Sequence, residues 1–149
     1  MGIRNKIAFI LSLLALTCLG LQPAYARSLV MHIGMQKVKV EVANTQKKRA
    51  QGLMYRQHLC SECGMFFKFN HTGEYGFWMK NTPTPLAVAF ISAKGKILEI
   101  QEMQPNSTDI YYSTKNTMYA LEMNRNWFVE HAIYTGDYVQ TSGRTLVFQ

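Results

Sequence analysis

The short segment Trp78-Met79-Lys80-Asn81-Thr82 holds the side chains best suited to binding chemistry. Its alternation predicts that Trp78, Lys80 and Thr82 share one face at the end of a strand. Trp78 would then supply a flat apolar wall, while the lysine, asparagine and threonine supply hydrogen-bond donors. The segment therefore predicts a binding surface.

Arg49 and Arg56 extend this hypothesis, because a planar guanidinium fork matches the oxygens of a carboxylate or phosphate. The combination favours an anion-selective pocket for a small molecule or a peptide group. The predicted ligand-binding set is Arg49, Met54, Arg56, Trp78, Lys80, Asn81 and Thr82. The alternative is that Trp78 and Met79 fill the core, while Lys80 and the two arginines are solvated or cap loop carbonyls.

Cys60-Ser61-Glu62-Cys63 is the second candidate site and allows three interpretations. A structural disulfide would close a loop of about four residues and contribute about 2 kcal/mol. A redox pair would need a thiolate at a helix N-terminus, and no alternating strand and helix pattern surrounds these cysteines. A copper or zinc site would combine both cysteines with His58 and Met65. The sequence favours the disulfide, and no cofactor is then expected.

No motif singles out a catalytic group. The sequence shows no Ser-His-Asp order, no glycine-rich phosphate loop and no paired carboxylates. The four histidines are not spaced like metal ligands; they are His32, His58, His71 and His131. Four acids could each act as a general base, but their spacing singles out none of them; they are Asp109, Asp137, Glu122 and Glu130. The sequence therefore favours a non-catalytic binding module, with thiol or metal chemistry at the cysteines, or a hydrolase of unknown type, as alternatives.

The first half of the chain predicts short strands and one short helix. Val38, Val40 and Val42 alternate with charged residues, which is typical of a half-buried strand, and this strand would pair with residues 29–33 through Gly34. A helix over residues 46–50 would begin at Asn44 or Thr45 and end at Gly52. Strands are then predicted over 65–69 and 76–80, joined by a polar turn over 70–73.

The second half predicts a hairpin of residues 86–92 with 96–103, a loop over 104–116 and a strand over 119–123. A helix over 127–133 would stop near Gly136, and a hairpin of 138–141 with 145–148 would close the chain around Ser142-Gly143. About eight short strands with two short helices predict a mainly β (α+β) domain. Its expected architecture is a compact barrel-like or folded-over antiparallel sheet.

One series of motifs, spread from about Lys37 to Val139, resembles a known family. The matching segments are Arg49-Ala50-Gln51-Gly52-Leu53-Met54-Tyr55-Arg56, Gly64-Met65-Phe66-Phe67, Phe77-Trp78-Met79-Lys80-Asn81-Thr82, Pro85-Leu86, Leu121-Glu122 and Gly136-Asp137. Together they resemble family 192 of the domains of unknown function. The resemblance implies a small, β-rich, often exported domain without an established activity. Ala87 and Ser92 stand where the family often has acids, so a carboxylate mechanism at those two positions is excluded here.

The N-terminus resembles a secretory signal. A basic start, Met1–Lys6, precedes an apolar stretch over residues 7–21, and Ala24 and Ala26 fit a cleavage site. Residues 1–26 are therefore predicted to be removed, leaving 27–149 as a single domain that is periplasmic or secreted and most simply monomeric. An uncleaved, tilted membrane anchor is the alternative, although about 20 apolar residues are normally needed to span a bilayer.

The charge distribution argues against a nucleic-acid partner. The chain carries a formal net charge of +7, and loss of Arg4 and Lys6 with the signal would lower it to +5. The basic residues are scattered, with Lys47-Lys48-Arg49 as the one run of three, and no aromatic ladder accompanies them. We therefore expect no nucleic-acid binding and no stable membrane insertion after cleavage.

Overall fold

The computed structural model describes residues 28–141 and 144–145. The predicted signal segment, the turn at 142–143 and most of the last predicted strand lie outside these residues. The strands are β1 Ser28–Ile33, β2 Gln36–Ala43, β3 Cys63–Gly73, β4 Gly76–Phe77, β5 Leu86–Ile91, β6 Ile97–Met103, β7 Tyr111–Tyr112, β8 Thr117–Asn124, β9 Val139–Thr141 and β10 Arg144–Thr145, and the helices are α1 Gln46–Gln51 and α2 Trp127–Glu130.

Eight strands form one curled sheet in the order β10-β9-β1-β2-β3-β8-β5-β6, and β4 pairs with β7 in a small second sheet. The large sheet curls into a half-barrel. Its two ends approach each other where Lys96, just before β6, forms a β-bridge with Tyr138, just before β9. The backbone N–H of Val139 also donates to the Gly95 carbonyl at 2.9 Å. The predicted mainly β, barrel-like fold with two short helices is confirmed.

Both faces of the sheet are covered by apolar side chains. Alternate residues of β3 and β8 point to opposite faces, so Phe66 and Leu121 pack with α2, whereas Phe67 and Ala120 pack beneath the segment around Phe77. All six residues of β5 are buried, as expected for a strand covered on both sides. Among the described residues, no helix combines the length and apolar composition needed to cross a membrane.

The connection from β2 to β3 carries α1 across one edge of the fold. β2 and β3 pair in parallel, with Lys39 opposite Cys63, and parallel neighbours require a crossover of this kind. The Thr45 side chain caps α1 by accepting from Lys48 N at 3.3 Å, and Gly52 ends it at φ 50°. The predicted helix is confirmed, and among the described strands β2 and β3 form the one parallel pair in an otherwise antiparallel sheet.

Several element boundaries differ from the sequence prediction, and the strand predicted over 76–80 is shortened to Gly76–Phe77. Residues 70–73 are not a turn, because β3 continues to Gly73, which pairs with Thr117 of β8 beyond a register shift. The predicted loop over 104–116 contains β7, which pairs with β4. The predicted helix over 127–133 stops at Glu130 because Ala132 adopts φ 53°, a left-handed conformation that ends the helix.

Candidate functional site

A cavity of about 340 Å³ opens beside the face of β3 that carries Phe67 and Phe69. One wall is α1 with the turn that follows it, from Arg49 to Met54, and the other is the segment from Tyr75 to Trp78. The crossover connection and the sheet together therefore form a concave site of the size typical for small ligands.

Four aromatic rings, which we call the aromatic row, line the cavity: Phe67, Phe69, Tyr75 and Phe77. Tyr75 stacks on Phe69 with 3.5 Å between ring centroids, and Phe77 meets the edge of Phe67 at 4.9 Å. Phe67 and Phe69 share this face because they lie two residues apart on one strand. The row gives the cavity an apolar surface of fixed shape.

Arg49 stands at the Phe69 side of the aromatic row. Its Nη1 donates to the Lys68 carbonyl at 2.9 Å, and its guanidinium carbon lies 6.0 Å from the centre of the Phe69 ring. Within the described part of the chain, its Nε and Nη2 groups have no hydrogen-bond partner. The guanidinium is therefore held in place while part of its fork stays available to an anion.

Glu122 lines the cavity from β8, opposite Met65 of β3. Its side chain is buried, with 4% of the residue exposed, and Oε2 has no hydrogen-bond partner among the described residues. Burial raises the pKa of this carboxyl to about 8, so at pH 7 it is mostly neutral. A Cβ placed on Gly52 would lie 4.0 Å from Oε2 and 3.8 Å from Phe67 Cζ, so Glu122 and Phe67 are close neighbours.

Sequence reasoning did not single out Glu122, although its sequence context carried a signal. The strand Tyr119-Ala120-Leu121-Glu122-Met123 is otherwise apolar, and Glu122 shares a face with Ala120. An acid on the buried face of a core strand is unusual and often marks a functional position. The pair Leu121-Glu122 also belongs to the motifs that resemble family 192.

Four of the predicted ligand-binding residues line the cavity: Arg49, Met54, Trp78 and Thr82. Trp78 lies at the cavity mouth with 44% of its surface exposed, and the Lys80 Nζ sits 5.3 Å from the centre of its ring. Thr82 is buried and donates to the Lys80 carbonyl at 3.3 Å. Lys80 itself is exposed and approaches the site only through Trp78.

The strand that was expected to give Trp78, Lys80 and Thr82 a common face ends before these residues. β4 ends at Phe77, and a turn follows in which Thr82 N donates to the Met79 carbonyl at 2.9 Å. Asn81 sits in this turn at φ 57°, and its Nδ2 donates to the Tyr55 hydroxyl at 3.1 Å rather than facing the cavity. Strand alternation does not apply across a turn, so Lys80 stays with the exposed Trp78 while Thr82 is buried.

Arg56 points away from this cavity and forms a two-pronged ion pair with Glu41 of β2, in which Nη2 lies 2.8 Å from Oε2. The hydrogen bond from Arg56 lowers the pKa of Glu41, and the same bond raises the pKa of Arg56. The pair is about one-third exposed, and Arg56 lines separate depressions on that side of α1. The two predicted arginines therefore do not converge.

The predicted disulfide between Cys60 and Cys63 is confirmed, with 5.0 Å between the Cα atoms. Cys63 begins β3, so the pair does not stand at a helix N-terminus. His58 lines a depression with both cysteines, whereas Met65 is buried among the cavity-side apolar residues. The disulfide occupies both sulfurs, and residues 28–141 and 144–145 contain no group of three His, Cys, Asp or Glu placed to hold a metal ion.

A curled half-barrel with a lateral, aromatic-lined cavity defines a small β-rich domain. The chain belongs to the DUF192 family, described as an uncharacterised ACR, whose model matches residues 29–141. No curated protein matches the chain.

Two solved structures share this fold and support the family assignment. One, from Sinorhizobium meliloti 1021, was proposed to be a transcription regulator; it has 31% identity and a TM-score of 0.76, with 79% of this chain and 96% of that chain covered. The other, from Novosphingobium aromaticivorans DSM 12444, is a protein of unknown function. It has 26% identity and a TM-score of 0.74, with 80% of this chain and 89% of that chain covered.

Proposed function

We propose that this protein is an exported, non-catalytic binding module whose cavity takes an anionic small molecule or peptide group. The observation that carries the proposal is the anchored Arg49 guanidinium at one end of the aromatic row. The Lys68 carbonyl and the Phe69 ring hold it in position, so little side-chain freedom is lost when an anion binds.

The rest of the cavity fits the apolar body of such a ligand. The aromatic row offers ring faces and edges along one wall, while Met54 and Trp78 line the cavity nearer its mouth. Pockets that combine mainly apolar walls with a few placed polar groups are typical binding sites for organic molecules. A neutral Glu122 also fits an anionic ligand, because it adds no negative charge to the cavity.

The lining residues support binding better than hydrolysis. Among the described residues that line the cavity, Glu122 is the one carboxyl group, so hydrolysis by two opposed carboxylates has no counterpart there. The hydroxyl of Thr82 donates to a backbone carbonyl and has no base as a partner.

Export is the part of the proposal that concerns location. It rests on the signal-like N-terminus, and the Cys60–Cys63 disulfide fits an oxidising compartment.

The test compares the binding of 3-phenylpropionate with that of its neutral amide, using calorimetry on the wild-type protein and the Arg49→Gln variant. The wild type should prefer the carboxylate, and Arg49→Gln should weaken carboxylate binding by about tenfold or more, because a charge-assisted hydrogen bond is lost. Lys47→Gln is the matched control, since it removes the same charge from an exposed position on the same helix and should change binding less than twofold.

Three results would contradict the proposal. The amide could bind as tightly as the carboxylate, Arg49→Gln could leave the affinity unchanged, or the wild type could bind neither probe at concentrations up to about 10 mM.

A further inference from the structure

We infer that the ligand of this cavity is a zwitterion whose carboxylate binds Arg49 and whose ammonium group binds Glu122. The inference rests on the proposed anion site at Arg49 and adds a second, oppositely charged contact. It starts from the one buried carboxyl oxygen in the cavity that lacks any partner among the described residues, Glu122 Oε2.

The two polar groups occupy different places along the aromatic row. The Glu122 carboxyl lies beside Phe67, because both approach the same point above Gly52 within 4.0 Å. The Arg49 guanidinium lies beside Phe69 and the Lys68 carbonyl. Phe67 and Phe69 lie two residues apart on β3, about 7 Å along the strand, so each polar group stands beside a different position in the aromatic row. The site therefore fits an elongated ligand with a polar group at each end.

An ammonium group suits the Glu122 end for two physical reasons. A carboxylate in a water-poor cavity attracts a cation far more strongly than it would in water, because little solvent screens the pair. Burial of this unpaired acid is unfavourable in the free protein, and an incoming ammonium group would supply the missing partner.

Binding of an ammonium group requires Glu122 to lose its proton. The pKa of about 8 means that this loss reduces the affinity by about tenfold at pH 7, which an ion pair in such a cavity can offset. The other titratable or charged side chains among the described lining residues are Arg49 on α1, His71 on β3 and Tyr75. Because these groups could also exchange protons, a variant of Glu122 is needed to show that a proton released on binding comes from Glu122.

The test uses 6-aminohexanoate, whose ammonium and carboxylate groups are several ångströms apart, and hexanoate, which lacks the amine. Calorimetry at pH 7, repeated in buffers of different ionisation enthalpy, measures both affinity and proton release. The zwitterion should bind about tenfold more tightly than hexanoate and release close to one proton. Glu122→Gln should remove the preference and the proton release while hexanoate still binds.

The inference is overturned if hexanoate binds as tightly as 6-aminohexanoate, or if the wild type releases no proton. The absence of proton release from the wild type overturns the inference even if Glu122→Gln does not fold. A preserved preference for the zwitterion in a folded Glu122→Gln protein would also reject it. All three outcomes leave the anion site at Arg49 intact. Failure of both ligands to bind, or insensitivity of both to Arg49→Gln, would instead reject the proposed function itself.

Discussion

Glu122 is the residue whose environment departs furthest from that of an ordinary surface carboxyl. Its pKa rises from the ordinary value of 4.5 to about 8 on folding, because burial disfavours the charged form. At a pH below 4.5, both the folded and the unfolded protein hold the proton on Glu122. Between the two values the unfolded chain releases it while the folded protein keeps it, so rising pH favours unfolding.

We therefore predict that the wild type loses stability as the pH rises from 5 to 8, at a rate of up to roughly 1.4 kcal/mol per pH unit from this group. Glu122→Gln should lack that component, because glutamine does not titrate. Urea unfolding of both proteins at pH 5, 6.5 and 8 measures the difference. Parallel stability curves for the two proteins would show that Glu122 does not titrate as its burial implies.

Residue types predicted part of the site. Arg49 and Trp78 were identified because guanidinium and indole groups suit ligand binding, and both line the cavity. Arg56 was grouped with them on the same grounds, but Glu41 on the adjacent strand pairs with it. The ion pair with Glu41 depends on how the crossover packs against β2, which the order of residues does not reveal. Glu122 was missed because its importance comes from burial and from a missing partner.

At the scale of elements, the pairing of β3 with β8 depends on the absence of a side chain at Gly64. A Cβ at this position would lie 2.4 Å from both the Glu122 carbonyl oxygen and the Met123 Sδ. Because one of these atoms belongs to the backbone, the two strands themselves would have to shift. The same shift would displace Glu122 within the cavity.

Gly64→Ala should therefore lower the free energy of unfolding by about 1–3 kcal/mol or more. Gly73→Ala is the matched control on the same strand, because its nearest neighbour would be Tyr75 Cε2 at an ordinary 3.7 Å. We expect that control to stay within about 0.5 kcal/mol of the wild type. Urea midpoints of the three proteins decide the matter, and equal losses for the two variants would refute the steric explanation.

Local patterns predicted the elements whose partners are close in sequence. The β1–β2 and β5–β6 hairpins and helix α1 follow from alternation, turn residues and caps. The β4–β7 pairing and the parallel β2–β3 pairing join segments that are distant in sequence, and no local pattern encodes such contacts. The extension of β3 to Gly73 was hidden because its last residues are polar and solvated.

At the scale of the whole molecule, the export hypothesis makes a prediction about mass. Protein recovered from the producing cell should begin at Arg27, with 123 residues remaining after 26 of the 149 are removed. It should also be two hydrogen masses lighter than the reduced chain, because Cys60 and Cys63 are joined. Intact mass spectrometry before and after reduction measures both quantities. A full-length mass with Cys18, Cys60 and Cys63 all present as free thiols would contradict export and oxidation together.

The crossover over residues 44–62 has a consequence for how this family could diversify. It joins β2 and β3, but these two parallel strands hydrogen-bond directly to each other, and residues 44–62 take no part in that pairing. The crossover nevertheless supplies one wall of the cavity, including Arg49. If the cavity binds a ligand as proposed, mutation in this connection can alter ligand preference while strand register is preserved. We expect related proteins to share the half-barrel and to differ in ligand through exchanges in this one segment.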